Sequence, residues 1–302
     1  MSNILLSGDW HIRTKNPVNR IGNYEDDIFT KLQWIVNTAK EYKCVAIVQP
    51  GDFFDHRRVS NLLLVRCMDF FFNSIVPVLT IFGQHDMRYH RNKDDTALKV
   101  METAEAITLL GDHPYNVSKI SFYGASWNEP IPIVKNKEAI NILVTHRMVI
   151  DETPLWPGQV DYVTGKRLRK QCKDYDVICC GDNHNTFQAK NLVNAGSLMR
   201  STMGQIEHKP TVFIYDTDTK KIKSIEIPVK PVEDVLKMEE FSENKERNER
   251  LESFIELLGT HTKEGGLNFE DNVKVLRNKA GLTPLESNLV DDFIATYYEG
   301  EN

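Results

Sequence analysis

Short apolar runs alternate with helical patterns up to about residue 150, and this alternation constrains the fold more than any other feature of the sequence. The first two runs, Ile4–Ser7 and Val45–Gln49, are rich in aliphatic residues and flanked by turn residues, which is typical of buried strands. Between them, the segment Asp26–Tyr42 places Ile28 and Leu32 on one helical face. Strands that alternate with helices indicate a largely parallel sheet covered on both faces, so the sequence predicts an α/β fold.

Similar patterns continue along the first 230 residues. They predict further strands at Val78–Phe82, Lys119–Tyr123, Ile140–Thr145, Val177–Cys180 and Leu192–Asn194, and further helices at Leu62–Phe72 and Ala97–Ile107. Two runs joined by a polar turn, Thr211–Tyr215 and Lys223–Ile227, predict a hairpin. We therefore expect a sandwich of sheets flanked by helices.

The composition changes after Pro228. The following stretch is strongly acidic, and Thr283-Pro284-Leu285-Glu286 has the pattern of a helix start. The helix predicted after it carries an apolar stripe from Leu289 to Tyr297. The predicted organisation is a domain of residues 1–230 and a small C-terminal helical region of residues 231–302.

Composition and charge exclude several classes of protein. No apolar run approaches the roughly 20 residues of a membrane span, and Met1-Ser2-Asn3 leads into a predicted strand rather than a signal peptide, so we expect a cytoplasmic location. The net charge of −6 argues against binding nucleic acid by bulk charge, but an enzyme can still meet phosphates through metal ions and a local basic rim. The five cysteines include no Cys-x-x-Cys pair, which favours reduced core thiols.

Five predicted strands each lead into side chains that can bind metal ions. These are Asp9 and His11, Asp52 and Asp55, Gln84 with His85 and Asp86, His146, and Asp182 with His184. The carboxyl ends of parallel strands meet at one edge of a sheet, so the five segments are expected to converge. Two divalent ions about 3.5–4 Å apart suit phosphoester hydrolysis, because they clamp the attacking and leaving oxygens. The sequence therefore predicts a dinuclear metal site.

Each segment alone has a simpler interpretation. An Asp-x-His step can cap a loop, Gly-Asp-x-x-Asp is common as a turn, and a lone histidine is more often a core or loop residue. The combination of all five segments in one order favours the shared site.

In order and spacing, these segments over residues 4–190 resemble the calcineurin-like metallophosphoesterase superfamily. Its pattern is Asp-x-His, Gly-Asp-x-x-Asp, Gly-Asn-His-Asp, a strand-end His and Gly-His-x-His. Within it, the chain most resembles the SbcD-type DNA double-strand-break nucleases, including those of tailed phages. Gly51-Asp52-Phe53-Phe54-Asp55, Asn194-Ala195-Gly196-Ser197-Leu198-Met199-Arg200 and Glu207-His208-Lys209-Pro210 carry this resemblance.

The resemblance implies a role for each motif residue. Asp9, His11 and His184 would hold one ion, Asp52 would bridge, and Gln84, His146 and Asp182 would complete the second ion's shell. His85 would protonate the leaving oxygen and Asp86 would orient it. Gln84 stands where the family has Asn and Asp182 where it has His. The extra carboxylate favours Mn²⁺, with Mg²⁺ as the alternative.

The resemblance also implies DNA as substrate and an SbcC-type ATPase as partner, docked through the C-terminal region, in recombination, repair or phage DNA processing. A homodimer is expected on the same basis, located in the host cytoplasm if a phage encodes the protein. Two alternatives remain open at this stage. One is a free-standing phosphatase or phosphodiesterase acting on a protein or small molecule, and the other is an inactive scaffold subunit.

Basic residues close to the predicted ligands could form a substrate-binding rim. They are Arg13, Lys15 and Arg20 in the first loop, Arg57 and Arg58 in the second, and Arg88, Tyr89, His90 and Arg91 in the third. Any one of them could equally be a solvated loop residue. As a set they predict contacts to substrate phosphates.

Overall fold

The computed structural model describes residues 2–87, 92–151, 155, 159 and 161–237. The chain divides into two units, Met1–Leu236 and Lys237–Asn302, and the fold described below is that of the first. Apart from residues 231–237, the predicted C-terminal helical region lies outside the described residues.

The elements are numbered in chain order. The strands are β1 (Asn3–Leu6), β2 (Cys44–Gln49), β3 (Val78–Thr80), β4 (Thr108–Leu109), β5 (Tyr115–Val117), β6 (Ile120–Ala125), β7 (Ile140–His146), β8 (Val149–Ile150), β9 (Val163–Thr164), β10 (Val177–Gly181), β11 (Phe187–Ala189), β12 (Leu192–Asn194), β13 (Thr211–Asp216) and β14 (Ile222–Glu226). The α-helices are α1 (Tyr24–Glu41), α2 (Asn61–Phe72), α3 (Ala97–Thr103) and α4 (Gly165–Gln171), and single 3₁₀ turns lie at Met203–Gln205 and Val232–Asp234.

Each long helix begins at a polar cap. The Asn23 side chain accepts a hydrogen bond from the N–H of Asp26 at the start of α1, and Ser60 accepts one from Leu63 at the start of α2. These caps satisfy N–H groups that have no partner within the helix. The N-terminal boundaries of both helices are thus set locally.

Within the described residues, the strands form two mixed six-stranded sheets and one two-stranded sheet. The first sheet has the order β14-β13-β1-β2-β3-β4, with β1 to β4 parallel. The second has the order β11-β12-β10-β7-β6-β5, with β6, β7, β10 and β12 parallel. The hairpin predicted at the end of the domain is β13–β14, which pairs antiparallel with β1.

The two sheets pack face to face, and helices cover their outer faces. Along β1, Ile4 and Leu6 point into the core between the sheets, where they meet Ile142, whereas Leu5 points into the core beneath α1, α2 and α3. Alternate side chains of a strand point to opposite faces, so a strand buried on both faces has the continuous apolar pattern seen here. On the second sheet, Leu168 of α4 packs on the outer face. The predicted α/β sandwich flanked by helices is confirmed.

The structure differs from the sequence-based boundaries mainly in short elements. The helix predicted over Ala97–Ile107 ends at Thr103, because Glu105 takes a left-handed backbone (φ 61°) and the chain turns into β4. All five cysteines are buried and free, as expected. Among the described helices, none has the length and apolar character needed to cross a membrane.

Gly8, between β1 and the first ligand segment, provides a test of this packing. A Cβ added there would lie 1.8 Å from the carbonyl oxygen of Gly196, whereas a Cβ at Gly111 would meet nothing within 4 Å. We expect Gly8→Ala to lower the free energy of unfolding by about 3 kcal/mol, because backbone must move to admit the methyl group. Gly111→Ala should change it by less than about 0.5 kcal/mol. Urea denaturation followed by tryptophan fluorescence measures both, and equal stabilities would contradict the described packing.

Candidate active site

The five ligand segments follow strands that end at the same edge of the sandwich. In the first sheet, β1, β2 and β3 are neighbours, and in the second sheet β7 pairs with β10 so that His146 is opposite Gly181. The structure therefore brings the predicted segments together. Three groups have ligand atoms that all lie within 4.8 Å of one another: Asp9, His11 and His184; His11, Asp52 and His85; and Asp9, Asp52 and His146.

Asp52 is at the centre of these groups. Its Oδ2 lies 3.4 Å from His146 Nε2, 3.8 Å from His11 Nε2 and 3.9 Å from His85 Nε2. Its Oδ1 accepts a hydrogen bond from the backbone N–H of His85 at 2.9 Å. One carboxylate thus faces imidazoles supplied by both sheets.

The other predicted ligands flank Asp52 on two sides. His184 Nε2 lies 3.2 Å from His11 Nε2 and 3.7 Å from Asp9 Oδ2. Gln84 Nε2 donates to Asp182 Oδ1 at 2.8 Å, which leaves the Gln84 Oε1 atom available. The two unusual occupants of the family pattern therefore contact each other.

Several buried polar atoms at this centre have no hydrogen-bond partner among the described residues. They are Asp9 Oδ1, His11 Nδ1, Asp52 Oδ2, Gln84 Oε1 and His146 Nε2. Leaving such an atom unsatisfied costs about 1–3 kcal/mol. Carboxylate and carboxamide oxygens suit Mn²⁺ and Mg²⁺, and imidazole nitrogens suit divalent transition-metal ions. The residues present therefore fit divalent metal ions.

Close backbone approach and backbone strain accompany these atoms. A Cβ at Gly83 would lie 2.0 Å from Asp52 Oδ1, and a Cβ at Gly181 would lie 2.4 Å from Asp9 Oδ1. Asp52 and Asp182 themselves take left-handed backbone conformations, with φ of 51° and 84°. Residues other than glycine adopt this conformation at an energetic cost, and such strain clusters at functional sites.

Burial and proximity shift the pKa values of the central groups. Burial, reinforced by Asp52, raises the pKa of Asp9 well above its ordinary value. Against the opposing effect of burial, Asp52 raises the pKa of His146 to about 10, and His146 holds the pKa of Asp52 below its ordinary value. Burial lowers the pKa of His11 to about 3. Without bound cations, Asp52 and His146 thus favour each other's charged forms, whereas burial favours the neutral form of His11.

The expectation that Asp86 orients His85 is wrong. The Asp86 carboxylate accepts hydrogen bonds from the backbone N–H groups of Phe53, Phe54 and Gly83, at 3.1, 2.9 and 3.0 Å. His85 Nδ1 instead lies 2.9 Å from the carbonyl oxygen of Asp55. Asp86 thus fixes the loops that carry Asp52 and Gln84, and burial together with Asp52 raises its pKa to about 7.

The predicted basic rim is only partly at the site. Arg13 lies 2.8 Å from Asp55 and lines a cavity of about 220 Å³ with His11, His85 and His184. Arg57 and Arg58 instead pair with Asp95, at 3.3 and 2.6 Å.

Two further rim predictions have different outcomes. Arg88, Tyr89, His90 and Arg91 lie outside the described residues. Arg20 is not a rim residue, because its buried guanidinium donates to the Arg200 carbonyl and to Asp27.

Sequence reasoning missed Arg147. This residue lines a second cavity, of about 1020 Å³, together with His146, Asp182 and Trp127. Its Nε has no hydrogen-bond partner in the described part of the chain. The sequence feature that could have identified Arg147 is its position directly after the strand-end ligand His146.

A comparison with protein-family profiles identifies the family of this chain. The calcineurin-like phosphoesterase family profile matches residues 2–186. A search of curated proteins finds no match.

Several solved structures are similar to this chain. A protein of Thermus thermophilus is 11% identical, with a TM-score of 0.47, and the match covers 75% of this chain and 99% of that one. A novel archaeal phosphodiesterase is 15% identical, with a TM-score of 0.40, and the match covers 74% of this chain and 99% of that one. A third similar structure is the Pseudomonas putida nuclease MPE, which is 20% identical with a TM-score of 0.29, and the match covers 52% of this chain and 66% of that one.

The family profile spans the five segments whose side chains converge at Asp52. Members of this family hydrolyse phosphoesters with divalent metal ions. The chain belongs to the calcineurin-like phosphoesterase family.

Proposed function

We propose that the protein is a DNA nuclease that hydrolyses phosphodiester bonds with two divalent cations, with Mn²⁺ expected and Mg²⁺ as the alternative. The observation that carries the proposal is the set of buried, unpartnered ligand atoms around Asp52. A centre built this way suits cations rather than a packed core, because an apolar core would leave no such atoms unsatisfied.

The contacts suggest how the ligands divide between the ions. Asp9, His11 and His184 would hold one ion, and Gln84, His146 and Asp182 would hold the other. Asp52 would be shared, since its Oδ2 faces both His11 and His146. When bound, two divalent ions lower the pKa of water and offset negative charge on the phosphate.

His85 is placed to transfer a proton. Its side chain is 43% exposed and lines the cavity beside His11. If Nδ1–H donates to the Asp55 carbonyl, that hydrogen bond fixes the ring and leaves Nε2 beside the ligand centre, 3.9 Å from Asp52 Oδ2. A protonated His85 would then give its Nε2 proton to the oxygen that leaves the phosphorus.

The segment that resembles SbcD-type nucleases supports DNA as the substrate. The N–H of Asp9 donates to Gly196 O at 3.0 Å, and the N–H of Leu198 donates to Asp9 O at 2.8 Å. Ser197 and Met199 line the cavity beside His184. The resembling residues therefore form part of the active-site wall.

The two cavities also favour a polymer over a small ester. One lies beside His11 and His184 and the other beside His146 and Asp182, so both flank the ligand centre. A nucleic acid strand cut at the centre can extend into both.

The biological setting is proposed from the family resemblance. An SbcC-type ATPase would be the partner, and residues 231–302 would supply its docking segment. The protein would act as a homodimer in recombination, repair or phage DNA processing.

The metal content of the chain tests the dinuclear centre. After loading with manganese and removal of excess ion, we expect two manganese ions per chain by elemental analysis. Asp52→Asn should lose most of this metal, because the shared carboxylate would be gone. Asp174→Asn, which changes an exposed carboxylate paired with Lys137, should retain it. Equal metal contents in all three proteins would contradict the shared role of Asp52, and a content near zero in the unaltered chain would contradict the centre and favour an inactive scaffold.

A digestion assay tests the substrate. We expect Mn²⁺-dependent degradation of linear DNA, with the rate lowered at least about 100-fold in His85→Ala because general acid catalysis is lost. His113→Ala removes a histidine that is 80% exposed and paired with Asp112, and it should leave the rate unchanged.

A different outcome of these assays would contradict the nuclease proposal. No cutting of DNA, with or without a cognate SbcC-type ATPase, together with fast hydrolysis of bis-p-nitrophenyl phosphate, would replace the nuclease by a small-molecule phosphodiesterase.

A further inference from the structure

A small cavity of about 70 Å³ lies among four cationic side chains of the described residues. We call it the basic pocket and define it by Arg20, Asp27, Lys31, Arg200 and Lys230. No metal ligand proposed above lines it. Its composition is unusual for this acidic chain, since one carboxylate accompanies four cations.

The single carboxylate of the basic pocket is already paired with two of the four cations. Asp27 Oδ2 accepts from Arg20 Nη2 at 2.6 Å, and Asp27 Oδ1 accepts from Lys230 Nζ at 2.5 Å. Against the opposing effect of burial, these bonds hold the pKa of Asp27 below its ordinary value. Asp27 therefore balances one of the four positive charges.

The remaining cations of the basic pocket donate to backbone carbonyls. Lys31 Nζ donates to Leu198 O at 2.8 Å, and Arg200 Nε donates to His208 O at 2.8 Å. Carbonyl groups are dipoles and do not cancel a full charge. The local field thus stays positive.

Arg20 adds an independent indication. Its side chain is only 3% exposed, and its Nε has no hydrogen-bond partner in the described part of the chain. A buried guanidinium with an unused donor is costly, and it forms strong, often bidentate bonds when an oxyanion is supplied.

The positive charge of the basic pocket also affects the pKa of Lys31. Burial, with the nearby Arg20 and Arg200, lowers the pKa of the Lys31 ammonium to about 7. A bound anion would favour the charged form of Lys31 and so raise this pKa again.

We propose that the basic pocket binds one phosphate group, contacted by Arg20, Lys31, Arg200 and Lys230. A tetrahedral oxyanion offers enough acceptors for several cationic donors at once, and arginine suits its geometry. A cavity of about 70 Å³ has the volume of roughly two water molecules. That space admits a phosphate group and excludes the base and sugar of a nucleotide, so inorganic phosphate and an exposed terminal phosphate are the two sources to separate.

Calorimetric titration of the full-length protein with sodium phosphate, at ionic strength held constant with sodium chloride, tests the proposal. We expect one phosphate per chain whose binding depends on Lys31, separate from phosphate held at the metal centre. Lys31→Met, which keeps the length of the side chain and removes its charge, should weaken binding at least about tenfold. Lys137→Met removes a lysine that is 71% exposed and paired with Asp174, and it should leave binding unchanged.

Two further proteins keep the test independent of folding and of the metal centre. Lys230→Met changes a side chain that is 62% exposed, so it should fold normally and also bind phosphate more weakly. Asp52→Asn should keep the phosphate binding that depends on Lys31. Phosphate binding lost in Asp52→Asn but kept in Lys31→Met would assign the anion to the metal centre and overturn the proposal.

The source of the phosphate is separated by repeating the titration with dAMP. Binding of dAMP that also depends on Lys31 would assign the pocket to terminal phosphates, whereas binding of inorganic phosphate alone would assign it to the free ion. Either result supports a phosphate site. No heat with either probe, or an equal response in Lys31→Met and the unaltered chain, would overturn it.

Discussion

The Asp52 carboxylate lies where the two sheets meet, with His146 Nε2 3.4 Å and His11 Nε2 3.8 Å from its Oδ2 atom. The surrounding backbone is shaped around this buried charge. Gly83 has no Cβ where one would strike Asp52, and Asp86 fixes the Phe53 and Phe54 N–H groups of the Asp52 loop. A charge buried this deeply is costly unless it is balanced, so the arrangement makes physical sense around bound cations.

Stability and function therefore depend on different parts of the sandwich, the core between the sheets and the edge that carries the ligands. The core between the sheets is apolar and continuous, as along Ile4 and Leu6, and it supplies the folding energy. The edge above it holds unpartnered atoms such as Gln84 Oε1 and a strained backbone at Asp182. The core is rigid enough to hold these unfavourable groups in place, which is how preorganised sites are usually built.

Much of the fold and of the ligand set could be predicted from the sequence. Strands such as β1 and β10 are buried on both faces, so their apolar runs are continuous, and topology alone brings their carboxyl ends to one edge. The role of Asp86 could not be predicted, because Phe53 and Phe54, two of its three partners, lie more than thirty positions away and approach it only in the fold. Arg20 was wrongly predicted to lie at the rim for a similar reason, since the direction of its side chain depends on Asp27 and on the Arg200 carbonyl. Two-residue strands such as β4 are too short to show any periodicity.

The central claim is that two cations share Asp52. Anomalous diffraction from a crystal grown with manganese measures this most directly. The account predicts two anomalous peaks about 3.5–4 Å apart, both in contact with Asp52, one also with Asp9, His11 and His184 and the other with Gln84, His146 and Asp182. A single peak, or peaks that do not touch Asp52, would contradict it.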